Sequence, residues 1–164
     1  MLSKSRSKTQ KLAKEFAKEL LKGEMGKSKY IHIHRGAEII LLKGELGSAK
    51  TTFTQSFLKT LGVDRNISSP TFVIARRYFL TKLQKNKKAR IKFKNAYHFD
   101  LYRIKSVREL EVIDFKKIIK DSDNLVLIEW PEKAKRLLPK KDFTEIIFKH
   151  GKNKNERNIN IKYK

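Results

Sequence analysis

The chain has 164 residues, with forty Lys and Arg against seventeen Asp and Glu, a formal net charge of +23 and no cysteine. That length suits a single domain, residues 1–164, with a core of its own; the lack of cysteine excludes a disulfide framework and Cys-ligated zinc and fits a reducing cytoplasm. No apolar run approaches the ~20 residues of a membrane span, and no unbroken apolar stretch like that of a signal peptide follows Met1 to Arg6, so a soluble cytoplasmic protein is expected.

Leu12, Ala13, Phe16, Ala17, Leu20 and Leu21 share one helical face, which predicts a helix from Thr9 to Lys22 with Thr9 or Ser7 as its N-cap, ended by Gly23, Gly26 and Ser28. Tyr30 to Leu42 then reads as extended. Within it His32 and His34 alternate onto one face without a third ligand or a carboxylate, so a solvated strand face is expected there, not a metal site. The run ends in Gly44-Glu45-Leu46-Gly47-Ser48-Ala49-Lys50-Thr51-Thr52, a near match to the phosphate-binding pattern G-x-x-x-x-G-K-[ST]. Phe53, Phe57 and Leu61 follow at helical spacing, giving strand, loop and helix in the order this site requires. Backbone N–H groups of such a loop and of the helix N-terminus converge on one anion. Lys50 adds a positive charge for the outer phosphates, and the Thr51 hydroxyl can join the shell of a Mg²⁺. Ala49 stands where the pattern has glycine; if the backbone there needs φ > 0, a Cβ costs roughly 1 kcal/mol or more.

Beyond Gly62 come Ser69-Pro70-Thr71-Phe72 and two extended runs, Val73 to Leu80 and Ile91 to Tyr102, linked by a polar, basic segment from Thr81 to Arg90 that reads as a hairpin tip. Ser106 with Glu109 is a capping-box pair opening a helix with Leu110, Ile113 and Ile118 inward. Leu125 to Ile128 is a short apolar run of the kind found in fully buried strands, closed by Glu129-Trp130-Pro131. Two last strands, Phe143 to Lys149 and Asn158 to Tyr163, flank a turn at Gly151 to Asn155. Parallel strand-helix units together with hairpins predict an α/β fold, a P-loop NTPase-like three-layer sandwich with a sheet of mixed parallel and antiparallel strands.

A phosphate loop needs a carboxylate for Mg²⁺ at the end of a neighbouring buried strand, and Glu129 ends the most apolar strand. Asp100 alternates with Phe99 and Leu101 and so shares a face with His98 and Tyr102, with Arg103 on the other if the strand continues; it could orient a water or form a surface salt bridge. Thr71 is either a plain loop hydroxyl or a sensor of a terminal phosphate. The charge of +23 would draw any polyanion; it suits an RNA-facing surface and also the solvated lysines of a chain rich in Lys, Ile and Asn.

Taken in order, the phosphate loop, Ser69-Pro70-Thr71-Phe72, Tyr97-His98-Phe99-Asp100-Leu101-Tyr102-Arg103 and Ile128-Glu129-Trp130-Pro131 resemble the TsaE (YjeE) family of bacterial P-loop ATPases, over nearly the whole chain. The resemblance implies a Mg²⁺-dependent ATPase that serves formation of threonylcarbamoyladenosine beside the tRNA anticodon, working with a TsaB–TsaD pair and not transferring the carbamoyl group itself. It implies that residues 44–52 cradle ATP, that Lys50 contacts phosphates, and that Thr51 and Glu129 hold Mg²⁺. It further implies that Asp100 serves the hydrolytic water, Thr71 belongs to a switch-like segment, Trp130 lies near the nucleotide and Thr9 near its adenine end. Ala49 departs from the family pattern, so slow turnover is expected. The basic segment Lys82 to Arg90 is longer than usual in the family, which suits contact with tRNA phosphates or a tolerated insertion. Two other readings stay open: a nucleotide-binding interaction module with little turnover, and a basic RNA-binding protein with a vestigial loop.

Overall fold

The computed structural model describes residues 2–23, 36–87, 89, 93–140 and 142–164. His32 and His34, residues 30–35 of the extended run expected from Tyr30 to Leu42, the helix-ending Gly26 and Ser28, Lys88 and Arg90 of the basic segment, and the start of the run expected at Ile91 lie outside the described residues. A seven-stranded sheet forms the centre, in the order β1-β7-β6-β2-β5-β4-β3. The strands are β1 (Leu2–Ser3), β2 (Glu38–Lys43), β3 (Ala75–Phe79), β4 (Asn95–Asp100), β5 (Asn124–Glu129), β6 (Thr144–His150) and β7 (Arg157–Tyr163). Strand β2 pairs in parallel with β5 and β6, and β4 in parallel with β5. The outer pairs β3–β4, β6–β7 and β1–β7 are antiparallel. The expected mixed sheet is therefore present.

Burial explains the central strands. All of β5 and nearly all of β2 is buried, because helices cover both faces, and strands so placed are apolar throughout instead of alternating. On one face α1 (Arg6–Lys22) and α2 (Lys50–Thr60) bring Phe16, Phe53 and Phe57 against Ile40, Leu42, Leu127 and Phe148. On the other, α4 (Arg108–Val112), α5 (Phe115–Lys120) and the 3₁₀ turn Pro131–Ala134 bring Leu110, Phe115 and Ala134 against Ile39, Leu41, Phe99 and Ile128. Successive residues of one strand thus feed two separate cores. Among the described residues no helix is long and apolar enough to cross a membrane.

Four local expectations need correction. Helix α1 starts three residues earlier than Thr9: Ser5 is the N-cap, its hydroxyl accepting from the Lys8 amide at 3.2 Å, while Thr9 is buried inside the helix with its hydroxyl 2.9 Å from that of Ser3. Gly23 ends the helix in the left-handed conformation, as anticipated. The basic link is not a simple hairpin tip. Thr81–Lys85 forms a short helix, α3, held down by buried Leu83, with Ala89 and Phe93 buried beyond it. Strand β4 stops at Asp100, so Tyr102 and Arg103 sit in a turn and Arg103 lies over Phe72, its guanidinium 4.4 Å from the ring centre. Finally, the single helix expected after Ser106 breaks in two at Asp114, which has a φ of 54°, although Glu109 does accept from the Ser106 and Lys105 amides at 2.9 Å.

Candidate nucleotide-binding site

Strand β2 delivers the chain into the loop at Gly44, and α2 carries it away from Lys50. Gly44 has a φ of 149°, and a Cβ on it would run into the Phe148 carbonyl oxygen, so the loop can only turn here without a side chain. Gly47, at φ 70°, completes the reversal. Arg157, at the start of β7, donates to the Gly47 carbonyl at 2.8 Å, and His150 Nε2 donates to that of Leu46 at 3.2 Å. The loop is therefore fastened to the β6–β7 hairpin as well as to its own strand.

A pocket of about 360 Å³ opens over the α2 N-terminus. Its walls include Leu46, Gly47, Ser48, Ala49, Lys50, Thr51 and Thr52 from the loop and helix, Thr71, Asp100, Glu129 and Trp130 from neighbouring segments, and Thr9 from α1. The pocket thus gathers nearly every residue picked out from the sequence. Gly44 and Glu45 are the exceptions: they line a separate hollow beside Ile147 to His150, and their carbonyls accept from Lys50 Nζ at 2.7 and 2.8 Å. Ser5, Arg6, Ser69, Tyr102, Asn155 and Arg157 also line the pocket, with no role expected of them from the sequence. Ser69 and Tyr102 lie in the same motifs as Thr71 and Asp100, whereas Ser5, Arg6, Asn155 and Arg157 come from distant parts of the chain whose convergence has no local sequence signal.

Lys50 is buried, with its ammonium 4.3 Å from the Trp130 ring centre. Burial pulls its pKa below the ordinary lysine value, opposed by the negative charges of Glu129, Asp100 and Glu132. Trp130 holds its ring there from a left-handed backbone, φ 59°, and packs at 5.0 Å on Tyr102.

Two carboxylates face this cation. Asp100 and Glu129 are register partners at the ends of adjacent parallel strands. The Thr51 hydroxyl donates to Glu129 Oε1 at 3.0 Å, and His98 Nε2 lies 2.9 Å from the same oxygen. Asp100 is clamped differently: Ser69 donates to Oδ2 at 3.0 Å, Thr71 donates to the same oxygen, and the Tyr102 amide donates to Oδ1 at 3.1 Å. Thr71 and Asp100, read from the sequence as separate candidates, are one hydrogen-bonded unit.

The family described as "Threonylcarbamoyl adenosine biosynthesis protein TsaE" matches residues 3–159. The chain belongs to the TsaE family. Among relatives named tRNA threonylcarbamoyladenosine biosynthesis protein TsaE, that of Haemophilus influenzae is 34% identical over 132 residues, 80% of this chain and 70% of the relative. That of Rickettsia prowazekii is 35% identical over 135 residues, covering 82% and 75%. A solved structure, the crystal structure of YdiB from Bacillus subtilis, superposes with a TM-score of 0.61 at 23% identity over 97% of this chain and 80% of that one, a likeness of fold. TsaE proteins act in tRNA threonylcarbamoyladenosine biosynthesis.

In this TsaE-family chain Ala49 has φ 79° and ψ 19°, so the position does require the left-handed conformation. An L-residue there loses about 1–2 kcal/mol, while glycine gives back about 0.4–1 kcal/mol through the freedom of the unfolded chain. Ala49→Gly is accordingly expected to raise stability by about 0.5–1 kcal/mol in urea unfolding. An unchanged midpoint would mean that the loop relaxes around the alanine at no cost.

Proposed function

We propose that the chain binds ATP with Mg²⁺ in this pocket and hydrolyses it slowly, in support of threonylcarbamoyladenosine formation on tRNA together with TsaB–TsaD-type partners. The observation that carries this reading is the convergence of the buried Lys50 ammonium, the Thr51–Glu129 pair and the Thr71–Asp100 pair on one pocket at a helix N-terminus. The loop and first-turn amides of α2 would cradle the phosphates, and Lys50 would exchange its two carbonyl partners for phosphate oxygens, which as anions are stronger acceptors.

The donor set fits Mg²⁺. Thr51 and Glu129 offer oxygen ligands, and among the described residues no group of three or more His, Cys, Asp or Glu could cage a metal. A cation there would take the rest of its shell from phosphate and water, as Mg²⁺ does. When bound, it would supply charge neutralisation across the outer phosphates. Asp100 would accept the proton of, or orient, the attacking water once Thr71 and Ser69 turn from it toward a terminal phosphate. Exposed Phe72 and Val73, next to Thr71, would carry that change to the surface a partner reads.

A second reading, a nucleotide-binding module with little turnover, draws support from the hydrogen bonds that already occupy both Asp100 oxygens. Calorimetric titration with ATP and Mg²⁺, alone and with the partner proteins, tests the proposal. Lys50→Ala is expected to weaken binding by about tenfold or more, since it removes a charge-assisted contact worth roughly 1.5–3 kcal/mol. No binding in either setting would sink the ATPase reading and leave a scaffold or RNA-binding role for the basic surface.

A further inference from the structure

His98 lies at the centre of β4, fully buried, beneath the carboxylate that ends β5. Its Nε2 is 2.9 Å from Glu129 Oε1, and its Nδ1 is buried with no hydrogen-bond partner among the described residues. Those two facts select a tautomer. With the proton on Nε2, the ring donates to the carboxylate and leaves only an unpaired acceptor at Nδ1. With the proton on Nδ1, a ring lone pair would face a carboxylate oxygen while a buried N–H went without an acceptor, which is the more costly arrangement.

We propose that His98 is the positioning residue for Glu129: by donating Nε2–H to Oε1 from inside the sheet, it fixes the carboxylate in the orientation that a divalent cation shared with Thr51 requires. This rests on the nucleotide and Mg²⁺ reading above. Glu129 is 2% exposed and has hydrogen-bond donors on two sides, Thr51 from α2 and His98 from β4. Thr51 approaches both oxygens, at 3.0 and 3.3 Å, so by itself it does not choose between rotations of the carboxylate. His98 touches Oε1 alone and breaks that symmetry.

The test uses the full chain and Trp130, its single tryptophan, whose ring lines the pocket and can report occupancy by fluorescence. ADP affinity is measured in chelator, and Mg²⁺ is then titrated at fixed ADP, for wild type, His98→Leu and His98→Gln. The glutamine amide can replace the Nε2–H donor; leucine cannot. Loss of a hydrogen bond to a metal-binding group typically weakens metal affinity about 10–100-fold, so H98L is expected to raise the half-saturating Mg²⁺ at least about tenfold. Its ADP affinity in chelator should stay within about twofold of wild type, because His98 touches no part of the phosphate cradle. H98Q should recover most of the Mg²⁺ response. If H98L does not fold, H98N, too short to reach Oε1, takes its place.

A wild-type Mg²⁺ midpoint in H98L, or an equal shift in H98L and H98Q, would overturn the assignment while leaving Mg²⁺-dependent nucleotide binding intact. Absence of any Mg²⁺ response in wild type would overturn it together with the reading on which it rests.

Discussion

Phe53→Ala is expected to lower stability by about 3–5 kcal/mol, the usual cost of emptying a fully buried phenylalanine site. Phe53 is the third residue after Lys50 and is completely buried. Its ring centre lies 5.9 Å from that of Phe16 on α1, 6.0 Å from that of Phe57 on α2 and 5.7 Å from that of Phe148 on β6. Three elements meet at one ring, so no single one can move in to fill the space. Urea unfolding would read the loss directly, and Phe72→Ala is the control. Phe72 is 82% exposed and has an Arg103 guanidinium over its face, an exposed contact worth about 0.5–1 kcal/mol. A loss for F53A no larger than for F72A would mean that α2 is not seated by this cluster. The expected functional consequence is specific: the same helix presents Lys50 and Thr51, so a loosened α2 weakens nucleotide binding even though Phe53 never touches the pocket.

That dependence of site on core also explains which parts were legible from the sequence. The phosphate loop is a local object: its strand, turn glycines, lysine and helix are consecutive, and burial on both faces makes β2 and β5 read as apolar runs. Glu129 could be found because it ends such a run. The N-terminus of α1 was misplaced since Ser5, Ser7 and Thr9 are all competent caps, and only the pairing of β1 with β7 decides among them by tying Thr9 to Ser3. A strand of two residues has no period to detect. The basic link hid α3 because its one anchoring residue, Leu83, stands alone among polar neighbours. Contacts across long separations left no trace at all: Arg157 reaches Gly47 across 110 residues, and His98 reaches Glu129 across 31. In the sequence His98 was only a residue sharing a face with Asp100. Strand alternation states the face and not the partner beneath it, and the partner is what gives the side chain a role.

Asp100→Asn is expected to slow single-turnover ATP hydrolysis, measured with the partner proteins present, by about 10²–10⁴-fold, the range for a positioned general base. Nucleotide binding should be unchanged or somewhat tighter, because a negative charge facing the phosphates is removed. The clamp on Asp100 makes the outcome informative. Oδ2 takes hydroxyls from Ser69 and Thr71, which fill both of its lone pairs, while Oδ1 takes only the Tyr102 amide, so Oδ2 can accept from a water only after a hydroxyl leaves. Ser69 and Thr71 both line the pocket, and a terminal phosphate would offer their hydroxyls a second charged acceptor. On that account bound triphosphate frees the base and moves the Thr71 segment in a single step, and loss of the base would stop hydrolysis while the segment still responds to nucleotide. Equal hydrolysis by wild type and D100N would instead make Asp100 a structural clamp for residues 69–71, and it would favour the module that binds nucleotide with little turnover. The two readings therefore part on one substitution: chemistry needs the Asp100 charge, whereas asparagine can keep the clamp by accepting the Tyr102 amide on Oδ1 and donating its own amide to the Ser69 and Thr71 hydroxyls.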